Sequence, residues 1–432
     1  MLEADLILEH AAELATPVGP APRTGPSLSD LKRIQDGAVA IAGDRLVFVG
    51  ASGDLSSRVR LKRGGRRVDV SGKTLLPGFV DPHTHLPFSG TRADEFAMRL
   101  AGRSYEEIAA GGGGILSTVD AVRSAGIQEM GRACVRRLDT MLEWGTTTCE
   151  AKSGYGLSLE AELKQLRVLR EAASVHPVEI VPTFLGAHTI PREYRARRGD
   201  YVRALIEEML PRVAEERLAE FCDVFCETIA FTRAEAEAIL RAGKRHGLRP
   251  RLHADQISAG GGAELAAQVG AASADHLEFV SDAGIEAMAQ AGVTAILLPG
   301  ADFFLRSKHH PPARRLVEAH VPVALATDLN PGTCPTEAMP PMLLLACLDL
   351  GLGIEEALTA ATLNAAHSLG LSDRLGSLEE GKQADIQVLD IPDATHLVYH
   401  FGVNHVLAVI KRGIIVHERT GVAHHRQTRP SR

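Results

Sequence analysis

Hydrophobic and polar positions change rhythm twice along this chain. Up to about residue 76, short apolar runs alternate with turn residues: Ala38 to Ile41, a Gly43-Asp44 turn, Leu46 to Val49, Arg67 to Val70, and a Ser71-Gly72 turn. This predicts a small antiparallel sheet, with the Pro- and Gly-rich stretch from Thr16 to Ser29 as a loop. From Leu76 the text becomes brief apolar runs, each followed by a longer segment of helical period. There are eight: Phe79 to His85, Thr146 to Lys152, Val178 to Ala187, Phe221 to Thr228, Leu248 to Asp255, Ala272 to Glu278, Val293 to Pro299, and Val321 to Asp328. Between them lie helix candidates with apolar spacing of three and four (Leu159, Leu163, Leu166) and a capping-box spacing from Thr232 to Glu235. Eight strands alternating with helices predict an α/β fold, a (β/α)8 TIM barrel. Two further helical stretches, Thr336 to Leu350 and Ile354 to Leu369, precede strand-and-turn text at Ile386 to Leu389, Val406 to Ile410 and Ile414 to Val416. The expected organisation is a barrel over residues 77–375, with residues 1–76 and 376–432 forming one small β domain from both chain termini.

Composition narrows the class. The 432 residues are 45% hydrophobic and 23% charged, which excludes disordered, collagen-like and coiled-coil chains. No apolar run approaches the roughly 20 residues that span a bilayer, and Met1 to Asp5 lacks a basic segment leading into an apolar one. Neither secretion nor membrane insertion is expected. A formal charge of −7 offers no basic footprint for nucleic acid, and the patches Lys62 to Arg67 and Arg192 to Arg198 read as solvated surface. Six cysteines without CxxC spacing suggest reduced thiols and a cytoplasmic setting. The 18 histidines matter more, because imidazole is the commonest metal ligand.

In such a barrel the active site lies at the C-terminal ends of the strands. The first run ends Asp81-Pro82-His83-Thr84-His85, and residues two apart on a strand face the same side, so both imidazoles can point into the barrel mouth. The fifth ends His253-Ala254-Asp255-Gln256, the sixth Asp275-His276, and the eighth Thr327-Asp328-Leu329-Asn330. Any one histidine here reads as structural; His83, His85, His253, His276 and Asp328 together read as a metal constellation. Three histidines and a carboxylate suit Zn²⁺, with Fe as the alternative. Such an ion lowers the pKa of bound water from about 15.7 to about 7, so hydrolysis of a C–N, C–O or P–O bond is the expected chemistry. The fourth run ends Cys226-Glu227-Thr228, without a lysine to bridge a second ion, which favours one divalent or trivalent metal per chain. Lys152, ending the second run, is open to three readings: surface, a charge partner for Glu150, or part of the pocket.

These strand ends resemble the amidohydrolase superfamily. The likeness extends through Pro77 to His85, Glu150-Ala151-Lys152-Ser153-Gly154-Tyr155-Gly156-Leu157, Phe184 to His188, and Thr327 to Thr333, and it runs in order from about Leu76 to Leu371. Those segments resemble the branch that opens the ring of 4-imidazolone-5-propanoate to N-formimino-L-glutamate in histidine degradation, whose small domain is a β-sandwich. The resemblance implies that His83, His85, His253 and Asp328 bind the metal, with His276 beside it. It also implies that Arg92, Tyr105, Tyr155, His188, Asn330, Gly332 and Thr333 hold a small anionic heterocyclic substrate, and that the enzyme is a homodimer. Arg92 offers a forked donor pair to a carboxylate, or else a surface ion pair with Asp94 or Glu95. Tyr105 reads equally as part of a helix cap, and Gly111 to Gly114 as a lid or a plain loop. Where some members carry a glutamate as general base, this chain has Gln256, which cannot accept a proton at pH 7 and is cast as a hydrogen-bonding partner of the ring. Proton transfer then falls to Asp328, with His276 stabilising the oxyanion. Two rival readings are an aminohydrolase releasing ammonia from another small heterocycle, and a non-catalytic barrel serving as a scaffold.

Overall fold

Eight parallel strands form the barrel in the computed structural model, which describes residues 1–103, 107 and 113–419. In chain order they are Phe79–Asp81, Thr146–Lys152, Glu179–Ala187, Phe221–Cys226, Arg249–Ala254, Ser273–His276, Thr294–Leu297 and Val323–Leu325. Each apolar run is a strand, trimmed by a few residues where the chain leaves the ladder to build the site. The first and eighth strands meet just beyond their ends, through a Thr84–Leu329 bridge. There the His85 amide donates to the Leu329 carbonyl (2.8 Å) and the Asp328 amide to the His83 carbonyl (3.1 Å). Closure of the barrel therefore coincides with the level of the candidate ligands.

The inward faces are layered. Val80, Val181, Phe221, Ile296 and Ala324 make an apolar floor. Above it the same inward parity brings Glu150, Lys152, Asp223, Arg251 and Asp275 into the interior, all fully buried. Helices cover the outside, among them Leu159–Val175, which buries Leu163, Leu166 and Leu169, and Arg233–Arg245, capped by reciprocal Thr232 and Glu235 bonds.

The two termini share a second eight-stranded sheet. Its strands differ in part from the sequence reading. Leu2–Pro17 is a long strand that the pattern did not single out, and the supposed loop to Ser29 contains its end and a 3-10 turn at Gly25–Ser29. Because this strand is central, it pairs antiparallel with Leu31–Ala42 but parallel with Val59–Asp69 and Thr74–Pro77, so the sheet is mixed. Thr74–Pro77 passes the sheet on to Ile386–Leu389, Val406–Lys411 and Ile414–Glu418. Leu8, Val39 and Ile41 from one terminus and Ile386, Val388 and Ile410 from the other share one core. Glu179, at the start of the third barrel strand, binds Arg374, Lys411 and Arg412 and ties barrel to sheet. The helical text at 354–369 is two helices, Ile354–Ala360 and Leu363–Ser368. Among the described residues no helix is long and apolar enough to cross a membrane.

Candidate active site

Strand-end geometry brings the imidazoles together. Ligand atoms of His83, His85 and His253 lie within 4.8 Å of one another, as do those of His83, His276 and Asp328. Nε2 of His83 and Nε2 of His253 are buried with no hydrogen-bond partner. Nε2 of both His83 and His85 stands 3.5 Å from Asp328 Oδ1. That is long for a hydrogen bond but close to the separation of about 3.4 Å between two ligands held about 2.0–2.1 Å from a tetrahedral ion. Burial, reinforced by neighbouring positive charge, holds His83 and His85 well below the usual histidine pKa, so both are neutral, as metal ligands must be. The unpaired buried Nε2 atoms of His83 and His253, with His85 and Asp328 close beside them, fit a metal ion. Asp328 (φ 55°) and His276 (φ 83°) both occupy left-handed backbone, a strain of the kind that functional sites retain.

The far sides of these rings are fixed. His83 Nδ1 is 2.6 Å from Asp275 Oδ2, and His253 Nδ1 is 3.1 Å from Asp223 Oδ1. Such carboxylates set the tautomer that leaves Nε2 free. His276 lies beside the cluster with Nδ1 3.4 Å from Glu278 Oε1. Burial alone lowers its pKa, but Glu278, Asp328 and Asp275 outweigh this and raise it to about 9. Burial pushes the Asp328 carboxyl up, against the pull of His276 and His253.

A cavity of about 1090 Å³ opens over the cluster, lined by His85, Arg92, Tyr155, His188, His253, Gln256, His276, Asp328, Asn330 and Thr333 among others. His188 stacks on His85 with ring centroids 5.0 Å apart, and its Nδ1–H donates to the Gly154 carbonyl (3.0 Å). Burial then lowers its pKa to about 3, leaving Nε2 as an acceptor. Arg92 Nε donates to Glu95 Oε2 (2.8 Å), so the ion pair and the pocket position hold at once. Its Nη1 approaches Gly332 so closely that a Cβ there would lie 2.0 Å away, so a side chain at that position would displace the guanidinium. Asn330 spends its whole amide on its own loop: Oδ1 accepts from Gly332 N and Thr333 N, and Nδ2 donates to Asp328 O and Thr333 Oγ1. Tyr105, Gly111 and Gly112 lie outside the described residues; Gly113 and Gly114 line the cavity.

Of the three readings of Lys152 the charge partner for Glu150 holds, and one expectation about the arginine patch is extended. Lys152 is not on the surface: it is fully buried and paired with Glu150 Oε1 at 2.8 Å. Arg192, Arg195 and Arg198 are solvated, but they also line the cavity, because the chain leaving the third strand after His188 folds over the mouth. Sequence reasoning also passed over Asp223, Arg251, Glu162 and Glu278. The signal for the first two was parity, since each sits two residues before an inward residue on its strand. Glu162 gave no such signal: it is a helix residue whose carboxylate accepts the amides of Gly154, Gly156 and Leu157.

Comparison with known proteins places this architecture. The amidohydrolase family model matches residues 74–416. The imidazolonepropionase of Shouchella clausii is 48% identical over 417 residues, covering 96% of this chain and 93% of its own. That of Geobacillus kaustophilus is 49% identical over 414 residues, covering 95% and 97%. Among solved structures, an adenosine deaminase from Xanthomonas campestris with bound zinc superposes with a TM-score of 0.70 at 21% identity, covering 96% of this chain and 93% of its own. The 5-methylcytosine deaminase of Klebsiella pneumoniae gives 0.72 at 17% identity, covering 97% and 99%; at such identities these two share the fold alone. The chain therefore belongs to the amidohydrolase family and, within it, to the imidazolonepropionases.

Proposed function

We infer that this enzyme hydrolyses the ring C–N bond of 4-imidazolone-5-propanoate to give N-formimino-L-glutamate, a step of histidine degradation. The observation that carries this is near-full-length identity of 48–49% to imidazolonepropionases. The geometry agrees with it, since one cavity holds both the imidazole cluster and Arg92, a cation suited to a propanoate tail.

His83, His85, His253 and Asp328 are proposed to hold one metal ion, Zn²⁺ on its donor set with Fe as the alternative. When bound, the ion supplies a water whose pKa is brought from about 15.7 towards about 7. Asp328 takes the proton of the attacking water and returns it to the ring nitrogen as the C–N bond breaks. His276, whose Nδ1 lies 3.4 Å from Glu278 Oε1, donates to the oxyanion that develops on the ring carbonyl. Arg92 binds the carboxylate, with Tyr155, Thr333 and Gly332 completing its surroundings. His188 Nε2 accepts from a ring N–H, and Gln256 bonds the ring without moving protons. Asn330 serves by shaping the loop that presents Gly332 and Thr333. We further propose a cytoplasmic homodimer, with neither nucleic acid nor membrane as partner.

An ultraviolet assay tests the reading: urocanate and urocanase generate imidazolonepropanoate in situ, and purified protein is added with its metal content measured on the same sample. Rapid loss of the imidazolone absorbance with close to one metal per chain is expected. No loss from metal-replete protein, together with ammonia release from a heterocyclic amine, would turn the assignment to the deaminase alternative.

A further inference from the structure

Behind the imidazoles the barrel holds five fully buried charges, Glu150, Lys152, Asp223, Arg251 and Asp275, where this fold ordinarily stacks branched aliphatic side chains. Buried ion pairs add little stability over well-packed apolar residues, so stability alone does not account for them. Their arrangement does. Lys152 Nζ lies 2.8 Å from Glu150 Oε1, 2.9 Å from Asp223 Oδ2 and 3.8 Å from Asp275 Oδ2. Asp223 and Asp275 are the two carboxylates that hold Nδ1 of His253 and of His83. The lysine comes from the second strand and its carboxylates from the fourth and sixth, alternate strands whose inward side chains share a layer.

We propose that Lys152 is a positioning residue for the metal site. Its ammonium holds Asp223 and Asp275 together across the barrel, so that His253 and His83 present Nε2 to a single ion. Two carboxylates drawn to one ammonium in a low-dielectric interior repel one another; without the cation they move apart, and the rings they orient lose their fixed direction. Arg251 stands at the same 3.8 Å from Asp275 but cannot substitute: among the described residues its ion pair is with Asp275 alone, so it does not bridge to Asp223, and its Nη2 donates to the Pro82 carbonyl (2.8 Å). Lys152 also fixes Glu150, whose other oxygen accepts the amide of Thr84 (3.2 Å), the residue between His83 and His85. One ammonium thus reaches the supports of three imidazoles from three strands. It does not line the cavity, so it touches no substrate. The proposal rests on the reading of His83, His85, His253 and Asp328 as the ligands.

The test is a metal titration. Full-length apoprotein is titrated with Zn²⁺ against a chromophoric chelator, and its thermal midpoint is recorded, for wild type, K152M and the charge-balanced E150Q/K152M. K152M is expected to bind Zn²⁺ about 10–100-fold more weakly. In the double variant the apoprotein midpoint returns towards wild type while the affinity stays weak, a separation that a merely structural lysine would not produce. Wild-type affinity in either variant overturns the proposal, and failure of both to fold makes Lys152 a folding element and overturns it too. A wild-type protein that binds no Zn²⁺ overturns the ligand reading instead.

Discussion

Glu162→Gln probes how the substrate side of the site is held. Glu162 is fully buried in the first turn of the helix Leu159–Val175. Its Oε1 accepts the amides of Gly156 and Leu157, both at 2.8 Å, and its Oε2 that of Gly154 at 3.0 Å. Burial raises its pKa, and these donors with Ser153 oppose the rise. Glutamine keeps one oxygen for Gly156 and Leu157, but its NH₂ then faces the Gly154 amide, donor against donor. Losing one bond to a charged acceptor costs about 1.5–3 kcal/mol, and the unpaired buried amide about 1–3 more. The expected destabilisation is about 2.5–6 kcal/mol, below most of the about 5–15 kcal/mol typical of a folded protein, so folded variant remains to be measured. Gly154 (φ 111°) and Leu157 (φ 51°) sit in the left-handed half of backbone space, so the freed loop relaxes away from its present form. That loop carries Tyr155, and its Gly154 carbonyl holds His188. KM should therefore rise along with the loss of stability. Urea denaturation and steady-state kinetics on one preparation measure both. Stability within about 0.5 kcal/mol of wild type, or a stability loss with unchanged kinetics, would refute the reasoning.

Three other expectations concern separate parts of the molecule. Gly332→Ala puts a methyl 2.0 Å from Arg92 Nη1 and displaces the guanidinium; losing a charged contact of about 1.5–3 kcal/mol should raise KM about 10–100-fold with little change in melting, and an unchanged KM would remove Arg92 from substrate binding. Asp328→Asn should keep its circular dichroism and lose at least about 10²-fold in kcat, so near-wild-type turnover in this variant excludes Asp328 as the proton carrier. For Glu179, burial favours the protonated form, but Arg374, Lys411 and Arg412 outweigh it and hold the pKa at about 2, below the usual 4.5. A depressed carboxyl contributes stability that is complete above pH 4.5 and is lost as pH falls towards 2; the shift is worth about 2–3 kcal/mol after allowance for partial exposure. Comparing the acid unfolding of wild type and Glu179→Gln checks this: a variant with the same pH dependence between those limits contradicts it.

Much of this protein follows from the local text of its chain. Apolar runs of strand length alternating with helical periods specify a barrel, because burial on both faces and the 3.6-residue period are properties of neighbouring residues. The His83-Thr84-His85 parity and the polar ends of the fifth, sixth and eighth runs mark the candidate ligands for the same reason. What periodicity cannot carry is the identity of a partner far along the chain. Asp275 meets His83 across 192 residues, and Lys152 reaches Asp223 only because alternate strands share one interior layer. Likewise Leu2–Pro17 became the centre of a mixed sheet once Val59–Asp69 and Thr74–Pro77 docked parallel to it, and Glu162 gained its role from a loop that turns back onto its own helix. Local pattern decides which face a residue presents; the closed barrel decides which charges must share the space behind it, since a buried charge needs a partner that only tertiary structure can bring.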